Sequence, residues 1–219
     1  MNWSQLFSLV GVSTLQTLQM VFFATVFSLI LGFPLGVLLC VTGKRGIAPK
    51  PLLNQVLGSI VNVLRSFPFL ILMIVLLPLS RLIVGRAYGT VATIVPLSIA
   101  AAPFVARVIE TALNEVDSGV IQASRAIGST NWQIIYKVLV PEALPSLVDG
   151  ITLTIINLIG YSAMAGAIGG GGLGDLAIRY GYQRFRTDVM IASIIVLLVL
   201  VEAVQLTGTF ISKRIVAKR

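Results

Sequence analysis

Five runs of about 20 mainly apolar residues restrict what this chain can fold into. A helix rises about 1.5 Å per residue, so roughly 20 residues cross the hydrocarbon core of a bilayer. The runs span approximately residues 18–40, 60–79, 90–112, 147–168 and 189–211. Mean hydropathy is +0.98 and only 11% of the residues are charged, which is not typical of water-soluble domains. We therefore predict an all-α integral membrane protein with five transmembrane helices.

The positive charges outside these runs predict the orientation of the helices. With the N-terminus outside, nine of the 16 Lys and Arg residues fall on cytoplasmic flanks and five fall on outer loops, while two lie within or beside the runs. Positive residues accumulate in cytoplasmic loops, so we predict an N-out, C-in arrangement. The nine are Lys44, Arg45, Lys50, Arg125, Lys137, Lys213, Arg214, Lys218 and Arg219; the five are Arg81, Arg86, Arg179, Arg184 and Arg186; the two are Arg65 and Arg107.

The composition disfavours several functional classes. The net charge of +8 is explained by this orientation rather than by binding to nucleic acid. A single cysteine, Cys40, excludes an intrachain disulfide, and with no histidine in the chain we expect no metal or haem site. No paired-acid or metal constellation points to an intramembrane enzyme, which leaves only a Ser-Lys or lone-acid site open. Secondary carriers commonly contain internal repeats, and the two halves of this chain show no convincing duplication.

The longest polar connection, residues 118–141, lies between the third and fourth runs. Val120, Ala123 and Ile127 recur at helical spacing, and Gly128 follows where a left-handed C-terminal cap would fall. We therefore predict a short helix that ends near Gly128. Its small side chains would let a partner's groove approach closely, whereas an amphipathic connector on the membrane surface is the alternative.

A second helix is predicted to follow almost at once. Thr130 and Gln133 have the spacing of a capping box, and Pro141 is predicted to stop the helix. We expect its buried side to consist of Trp132, Ile135, Tyr136 and Leu139.

The spacing of this loop resembles that of the permease subunits of binding-protein-dependent ABC importers. Their cytoplasmic loop carries E-A-A, three residues, G, nine residues and I-x-L-P. Ala123, Gly128 and Pro141 match that pattern identically. Gln122 replaces the acid, so an ionic contact at that position is not expected. The remaining marked positions carry Ser124, Val138 and Val140.

The resemblance implies that Gln122 to Gly128 form a coupling helix, which sits in a groove of a separate cytoplasmic ATPase. ATP and Mg would then be bound by that partner, and no cofactor is expected on this chain, which contains no G-x4-G-K-[ST] motif. The chain would be a transport subunit and not an enzyme. The implied coupling residues are Gln122, Ala123, Ser124, Arg125, Ala126, Gly128 and Pro141.

The resemblance extends over residues 13–208 and includes the methionine-import permeases. It is carried by Val61 to Phe69, Ile94 to Leu97, Ala102 to Arg107, and Gly160 to Ala167 leading into Gly169 to Gly174. It implies the type I ABC importer permease fold, a multi-pass location in the cytoplasmic (inner) membrane and a homodimer. Two ATPase subunits and an extracytoplasmic methionine-binding lipoprotein would complete the importer. L-methionine and D-methionine are the expected substrates, and another small amino acid is the alternative.

The fourth run supplies the predicted passage and outer gate. Tyr161, Ser162 and Met164 are candidates for the substrate pathway, with helix packing as the alternative. Gly169, Gly171 and Gly174 match G-x-G-x-x-G, but neither the strand nor the helix of a dinucleotide site is expected around them. We predict instead a flexible or tightly packed outer gate.

Intramembrane charges give two further hypotheses. Arg65 or Arg107 could pair with Glu110 and lock the inward opening. Glu202 falls near the middle of the fifth run, where a charge is costly. A proton-coupled secondary carrier would use such a group, and the alternative is a protonated or hydrogen-bonded glutamate inside the bundle, with Gln205 as a partner. Gly32 and Gly36 have the spacing of a helix-packing motif, either within the bundle or between subunits.

Overall fold

The computed structural model describes residues 3–218, so the predicted cytoplasmic charge Arg219 lies outside the described residues. The all-α prediction is confirmed, and residues 3–218 contain no strand. The helices are α1 (Trp3–Thr42), α2 (Pro51–Ser66), α3 (Phe69–Val84), α4 (Thr90–Asn114), α5 (Ser118–Ala126), α6 (Asn131–Ile134), α7 (Val140–Glu142), α8 (Leu144–Ala165), α9 (Gly172–Leu176) and α10 (Thr187–Val216).

Within residues 3–218, four of the predicted runs lie in long, apolar helices that could cross a membrane. These helices are α1, α4, α10 and α8, whose apolar segment continues through a 3-10 turn to Ile168. α1 is 40 residues long, about 60 Å, which is roughly twice the thickness of the hydrocarbon core. It therefore begins well before the predicted run 18–40.

The second run, 60–79, is not the continuous helix that the sequence predicts. The chain bends by 103° between α2 and α3, and the two together make a fifth crossing only as a bent pair. Phe67 and Pro68 are extended, with ψ of 131° and 127°. A proline disfavours the helical conformation of the preceding residue and supplies no N–H to the helix. The bend is therefore set by Pro68.

Gly32 and Gly36 allow α1 to pack directly on the backbone of α4. A Cβ atom on Gly32 would lie 2.6 Å from the carbonyl oxygen of Ala102, and one on Gly36 would lie 2.6 Å from that of Ala106. The Gly32 and Gly36 motif therefore packs helices within this chain. Packing within the bundle was one of the two alternatives, and contact between subunits was the other.

Gly36→Ala should lower the stability of the bundle, because the added methyl group collides with backbone that cannot move aside. We expect a loss of about 1–3 kcal/mol, measured as a lower melting temperature by tryptophan fluorescence in detergent. Gly11→Ala on the same helix is the matched control, since nothing lies within 4 Å of a Cβ atom there. Equal melting temperatures for the two variants would contradict the packing.

The two ends of the bundle are built differently. At one end, called the α5 end, Ile109, Leu113, Ile134 and Leu139 form a buried apolar cluster with Cys40. At the other end, a glycine-rich loop follows α8 and leads into α9. The N-out, C-in prediction would place the α5 end in the cytoplasm.

Candidate functional site

The short helix α5 is fixed at both ends by local hydrogen bonds. The Asp117 side chain accepts a hydrogen bond from Gly119 N at 2.7 Å, which caps the first turn. Gly128 has a φ of +83° and donates its N–H to Arg125 O at 2.9 Å. The predicted helix and its left-handed glycine terminus are therefore confirmed.

The capping box of the second helix is also confirmed. Gln133 N donates to Thr130 Oγ1 at 3.3 Å, and Thr130 N donates to Gln133 Oε1 at 2.8 Å. The helix beginning at Asn131 does not stop at Pro141, as predicted. It continues through a π turn at Ile135–Leu139 into α7, which contains Pro141. The wider turn bonds Val140 N to Ile135 O, which accommodates the proline in place of a tighter α-helical turn.

The π turn also changes which side chains of this helix are buried. Ile134 and Leu139, five residues apart, are buried, a spacing that fits the widened turn. Ile135 packs against the apolar cluster at the α5 end. Trp132 and Tyr136, which were predicted to be buried, are exposed. The prediction for these two aromatics is wrong, because it rests on 3.6 residues per turn and the π turn has more.

The exposed aromatics extend a surface that begins on α5. No residue of α5 is buried, and Gln122, Ala123, Arg125 and Ala126 are all exposed. We call the segment Val120–Ile127 together with Trp132 and Tyr136 the docking surface. Ile127 is 84% exposed and Trp132 is 70% exposed. Exposed apolar side chains of this kind mark a site of interaction with a protein or with a membrane, so the exposure is compatible with both alternatives for this loop.

The inner side of this segment is tied to the membrane helices. Arg125 Nη2 donates a hydrogen bond to Ile47 O in the connection between α1 and α2. Ile121, Val138 and Val140 pack against the apolar cluster at the α5 end, which includes residues of α1 and α4. A displacement of α5 would therefore be passed to α1, α4 and the start of α2.

One of the two proposed arginine pairs is formed. Arg107 Nη1 lies 2.6 Å from Glu110 Oε2. Arg107 Nη2 also donates to Gly58 O at 3.1 Å and to Asn62 Oδ1 at 2.9 Å, so this side chain holds α2 against α4. Within residues 3–218, Arg65 forms neither an ion pair nor a hydrogen bond with Glu110, so of the two proposed pairs only the Arg107 pair is formed in this structure.

Arg107→Gln should loosen the contact between α2 and α4. Its hydrogen bonds are charge-assisted and only partly exposed, so we expect a loss of about 1–2 kcal/mol. The loss should appear as a lower melting temperature in detergent. Arg86→Gln, at an exposed position outside the helices, is the control and should melt like the parent protein. A parent-like melting temperature for Arg107→Gln as well would show that the arginine does not hold the two helices together.

The glycine-rich loop is fixed by hydrogen bonds to α1 and to the start of α4. Gly172 N donates to Gln16 Oε1 and Leu173 N donates to Thr17 Oγ1, both at 2.9 Å. Gly89 N donates to Gly169 O at 3.0 Å and joins the loop to the start of α4. Gly171 has a φ of +78°, which strains other residues. Sequence reasoning did not identify Gln16 and Thr17. They are two of several polar residues in the first half of α1, and nothing local distinguishes them from the others.

A short helix, α9, begins at Gly172, although no helix is predicted there from the sequence. A Cβ atom on Gly174 in this helix would lie 2.5 Å from Ala163 Cα and closer still to the carbonyl oxygen of that residue. Gly174 therefore permits α9 to pack back against the end of α8. The glycine-rich loop is therefore tightly packed, and its role as an outer gate stays a prediction.

The three predicted pathway residues of α8 occupy different environments. Ser162 is buried and donates to Ile159 O at 2.7 Å, which is a packing role. Tyr161 is half-buried and its ring stacks on Phe69 with centroids 4.2 Å apart. Met164 is exposed at the surface of the chain. Of these three residues, only Tyr161 and Met164 are accessible enough to contact a ligand in this conformation.

Glu202 is exposed on α10 instead of packed inside the bundle. The predicted partner Gln205 donates to Thr209 Oγ1 at 3.1 Å instead, and within residues 3–218 Glu202 forms no ion pair. A charged side chain facing lipid near the centre of a span would cost roughly 2.5–3.5 kcal/mol. This face of α10 is therefore expected to meet water or another subunit in the assembled protein.

Comparison with known proteins places this architecture among membrane transport components. The profile of the family described as "Binding-protein-dependent transport system inner membrane component" matches residues 28–217. A "Probable D-methionine transport system permease protein MetI" from Pasteurella multocida is 50% identical over 210 residues, which cover 96% of this chain and 97% of that protein. The "Methionine import system permease protein MetP" from Bacillus subtilis is 45% identical over 182 residues, which cover 83% and 82% of the two chains.

Solved structures show the same fold. The native crystal form titled "Inward facing conformations of the MetNI methionine ABC transporter" superimposes with a TM-score of 0.95 at 44% sequence identity, covering 98% of this chain and 99% of that chain. An amino acid ABC transporter solved with histidines has a TM-score of 0.77 at 20% identity over 97% and 95% of the two chains. The second likeness concerns the fold alone.

Proposed function

We infer that this chain, which belongs to the family of binding-protein-dependent transport system inner membrane components, is the permease subunit of an ATP-driven methionine importer. It is a multi-pass protein of the inner membrane, and ATP hydrolysis takes place on a separate subunit. The proton-coupled carrier and the permease for a different small amino acid find no support among the relatives.

The main structural support for this function is the exposure of the docking surface. Its small exposed residues suit a helix lying in a groove, and its exposed apolar residues favour a protein partner over water. α5 is the coupling helix in this proposal, and its contact with the ATPase involves Gln122, Ala123, Ser124, Arg125, Ala126 and Gly128. Pro141 acts from a distance, since it helps to shape the helical connection between the docking surface and α8.

The proposed assembly contains two copies of this chain, two ATPase subunits and an extracytoplasmic methionine-binding lipoprotein. The α5 end faces the cytoplasm, in keeping with the excess of positive charge on that side. ATP and Mg bind to the ATPase subunits. The lipoprotein docks at the end that carries the glycine-rich loop. A second subunit or a hydrated passage then covers the face of α10 that bears Glu202, which removes a charge from lipid.

Alternating access follows from how α5 is attached. When ATP draws the two ATPases together, each carries its bound α5 with it. Arg125 and the apolar cluster at the α5 end pass this displacement to α1, α2 and α4. The passage between the two copies then changes from inward-facing to outward-facing as the bundles move as rigid bodies.

Substrate competition in proteoliposomes tests the cargo. The chain would be purified with its ATPase, reconstituted with the binding protein, and supplied with ATP and labelled L-methionine. Unlabelled L-methionine and D-methionine should reduce uptake of the label, whereas histidine and glutamate should not. Equal competition by all four amino acids would contradict a methionine importer.

A further inference from the structure

A small cavity opens where the bend between α2 and α3 meets α4 and α8. Its volume is about 160 Å³. It is lined by the guanidinium of Arg65 and by four aromatic rings, those of Phe67, Phe69, Phe104 and Tyr161. Aliphatic side chains complete the lining. We call it the aromatic cavity. The bend at Pro68 creates it, because a straight helix would not turn Phe67 and Phe69 around the same space.

The aromatic cavity lies at the middle depth of the bundle. Ala100 and Phe104 line it, and they flank the centre of α4, which runs from Thr90 to Asn114. The stacked rings of Phe69 and Tyr161 are nearly parallel, with an interplanar angle of 7° and centroids 4.2 Å apart. This stack joins the start of α3 to α8 and forms a rigid apolar wall.

Arg65 stands between this cavity and a larger one. The larger cavity has a volume of about 360 Å³, and its lining includes Arg107, Glu115 and Ser146 towards the α5 end. Arg65 and Phe104 line both cavities. Arg65 is exposed and has no hydrogen-bond or ion-pair partner within the described residues 3–218. A guanidinium at this depth requires water or an anion as its partner.

We propose that the aromatic cavity and Arg65 form a binding subsite for methionine during its passage. This proposal rests on the proposed function. The thioether side chain enters the aromatic cavity, because sulfur makes favourable contacts with aromatic rings. The carboxylate pairs with the Arg65 guanidinium, whose planar donors match a carboxylate with two parallel hydrogen bonds.

The sizes of the two cavities support this division of the ligand. Pockets that enclose a whole small molecule commonly measure about 300–1,000 Å³, so the aromatic cavity accommodates a side chain rather than a complete ligand of that kind. The amino acid's main-chain groups remain at the junction, beside Arg65. From there the ligand leaves through the larger cavity towards the α5 end.

Direct binding to the permease–ATPase complex tests the subsite. The complex would be placed in nanodiscs without nucleotide or binding protein, and binding of labelled L-methionine would be measured, with binding to the purified ATPase alone subtracted. Arg65→Gln should weaken methionine binding about tenfold or more, because two charge-assisted hydrogen bonds are lost. Arg65→Lys should recover part of the affinity. Arg81→Gln, on the same bent helix pair but outside both cavities, is the matched control.

L-methioninol, which lacks the carboxylate, separates a direct contact from a structural effect. The unlabelled alcohol would be titrated as a competitor against methionine bound to the parent and Arg65→Gln complexes. Its own affinity should be the same for both proteins. A similar loss of affinity for methionine and methioninol would show that Arg65 acts only through the structure, and would overturn the carboxylate contact.

A second substitution tests the apolar half of the subsite. Phe104→Leu should weaken methionine binding several-fold and reduce the preference for methionine over norleucine, because an S–aromatic contact is lost. Phe27→Leu, an exposed aromatic position on α1, is the control. Methionine affinity and preference equal to those of the control would overturn the aromatic contact.

The outcomes distinguish this proposal from the proposed function. Suppose that the parent complex takes up methionine with ATP and that Arg65→Gln binds methionine within twofold of the parent affinity. This result would overturn the subsite but would not contradict the importer. If the parent complex binds methionine through Arg65 but shows no ATP-dependent uptake, the result would support the subsite and contradict the importer.

Discussion

Replacing Ala123 by arginine is expected to abolish ATP-driven methionine uptake while leaving the membrane bundle folded. Ala123 is exposed in the middle of α5, so the long side chain harms no internal contact. In the complex it would hold the helix out of a groove that fits small residues. Uptake should fall at least about tenfold, since loss of a docking contact can remove well over 1.4 kcal/mol. The measurements are uptake in proteoliposomes and co-purification with the ATPase.

Ala217→Arg is the matched control for this variant. Ala217 is also exposed, and it lies just beyond α10 with no part in the docking surface. The control should transport methionine at the parent rate. Parent-like uptake by Ala123→Arg would show that α5 does not carry the coupling contact.

The second large effect is expected at the opposite end of the bundle. Gly174→Ala should destabilise the chain by about 3 kcal/mol, because the new methyl group would overlap the backbone of Ala163. α9 could then no longer pack against the end of α8, and the glycine-rich loop would lose its support. We expect a lower melting temperature together with a loss of methionine uptake.

Gly11→Ala again provides the comparison, since it adds the same methyl group where nothing lies within 4 Å. That variant should melt and transport like the parent protein. A parent-like melting temperature for Gly174→Ala would mean that α9 is free to move away from α8, and the glycine-rich loop would then be flexible instead of tightly packed.

Local sequence signals predicted the elements whose contacts lie within a few residues. The apolar runs located four long helices, and the capping box at Thr130 and Gln133 is formed as its spacing indicates. The left-handed Gly128 also follows from local sequence, because its neighbours end a helix there. These features depend on hydrogen bonds between residues that are close in the chain.

Proline effects were harder to predict because they depend on the surrounding packing. Pro68 breaks the second run, whereas Pro96 and Pro103 lie inside α4 without ending it. Pro141 was expected to stop a helix, and a π turn accommodates it instead. The sequence contains the prolines but not the neighbouring helices that decide between a bend, a break and a widened turn.

Contacts between distant residues account for the other differences. Gln16 and Gly172 are 156 residues apart, and Arg107 reaches Gly58 across 49 residues. Polar residues in apolar helices indicate that some partner exists but do not identify it. The aromatic cavity was missed for the same reason, since Arg65, Phe69, Phe104 and Tyr161 come from four separate helices that meet only in the folded chain.

Energy dependence of transport tests the central claim most directly. Proteoliposomes that contain this chain, its ATPase and the binding protein would be given labelled methionine with ATP, with a non-hydrolysable ATP analogue, or with a proton gradient alone. The account predicts accumulation of methionine with ATP only, and none when the binding protein is omitted. Accumulation driven by the proton gradient, or at the same rate without ATP hydrolysis, would contradict it.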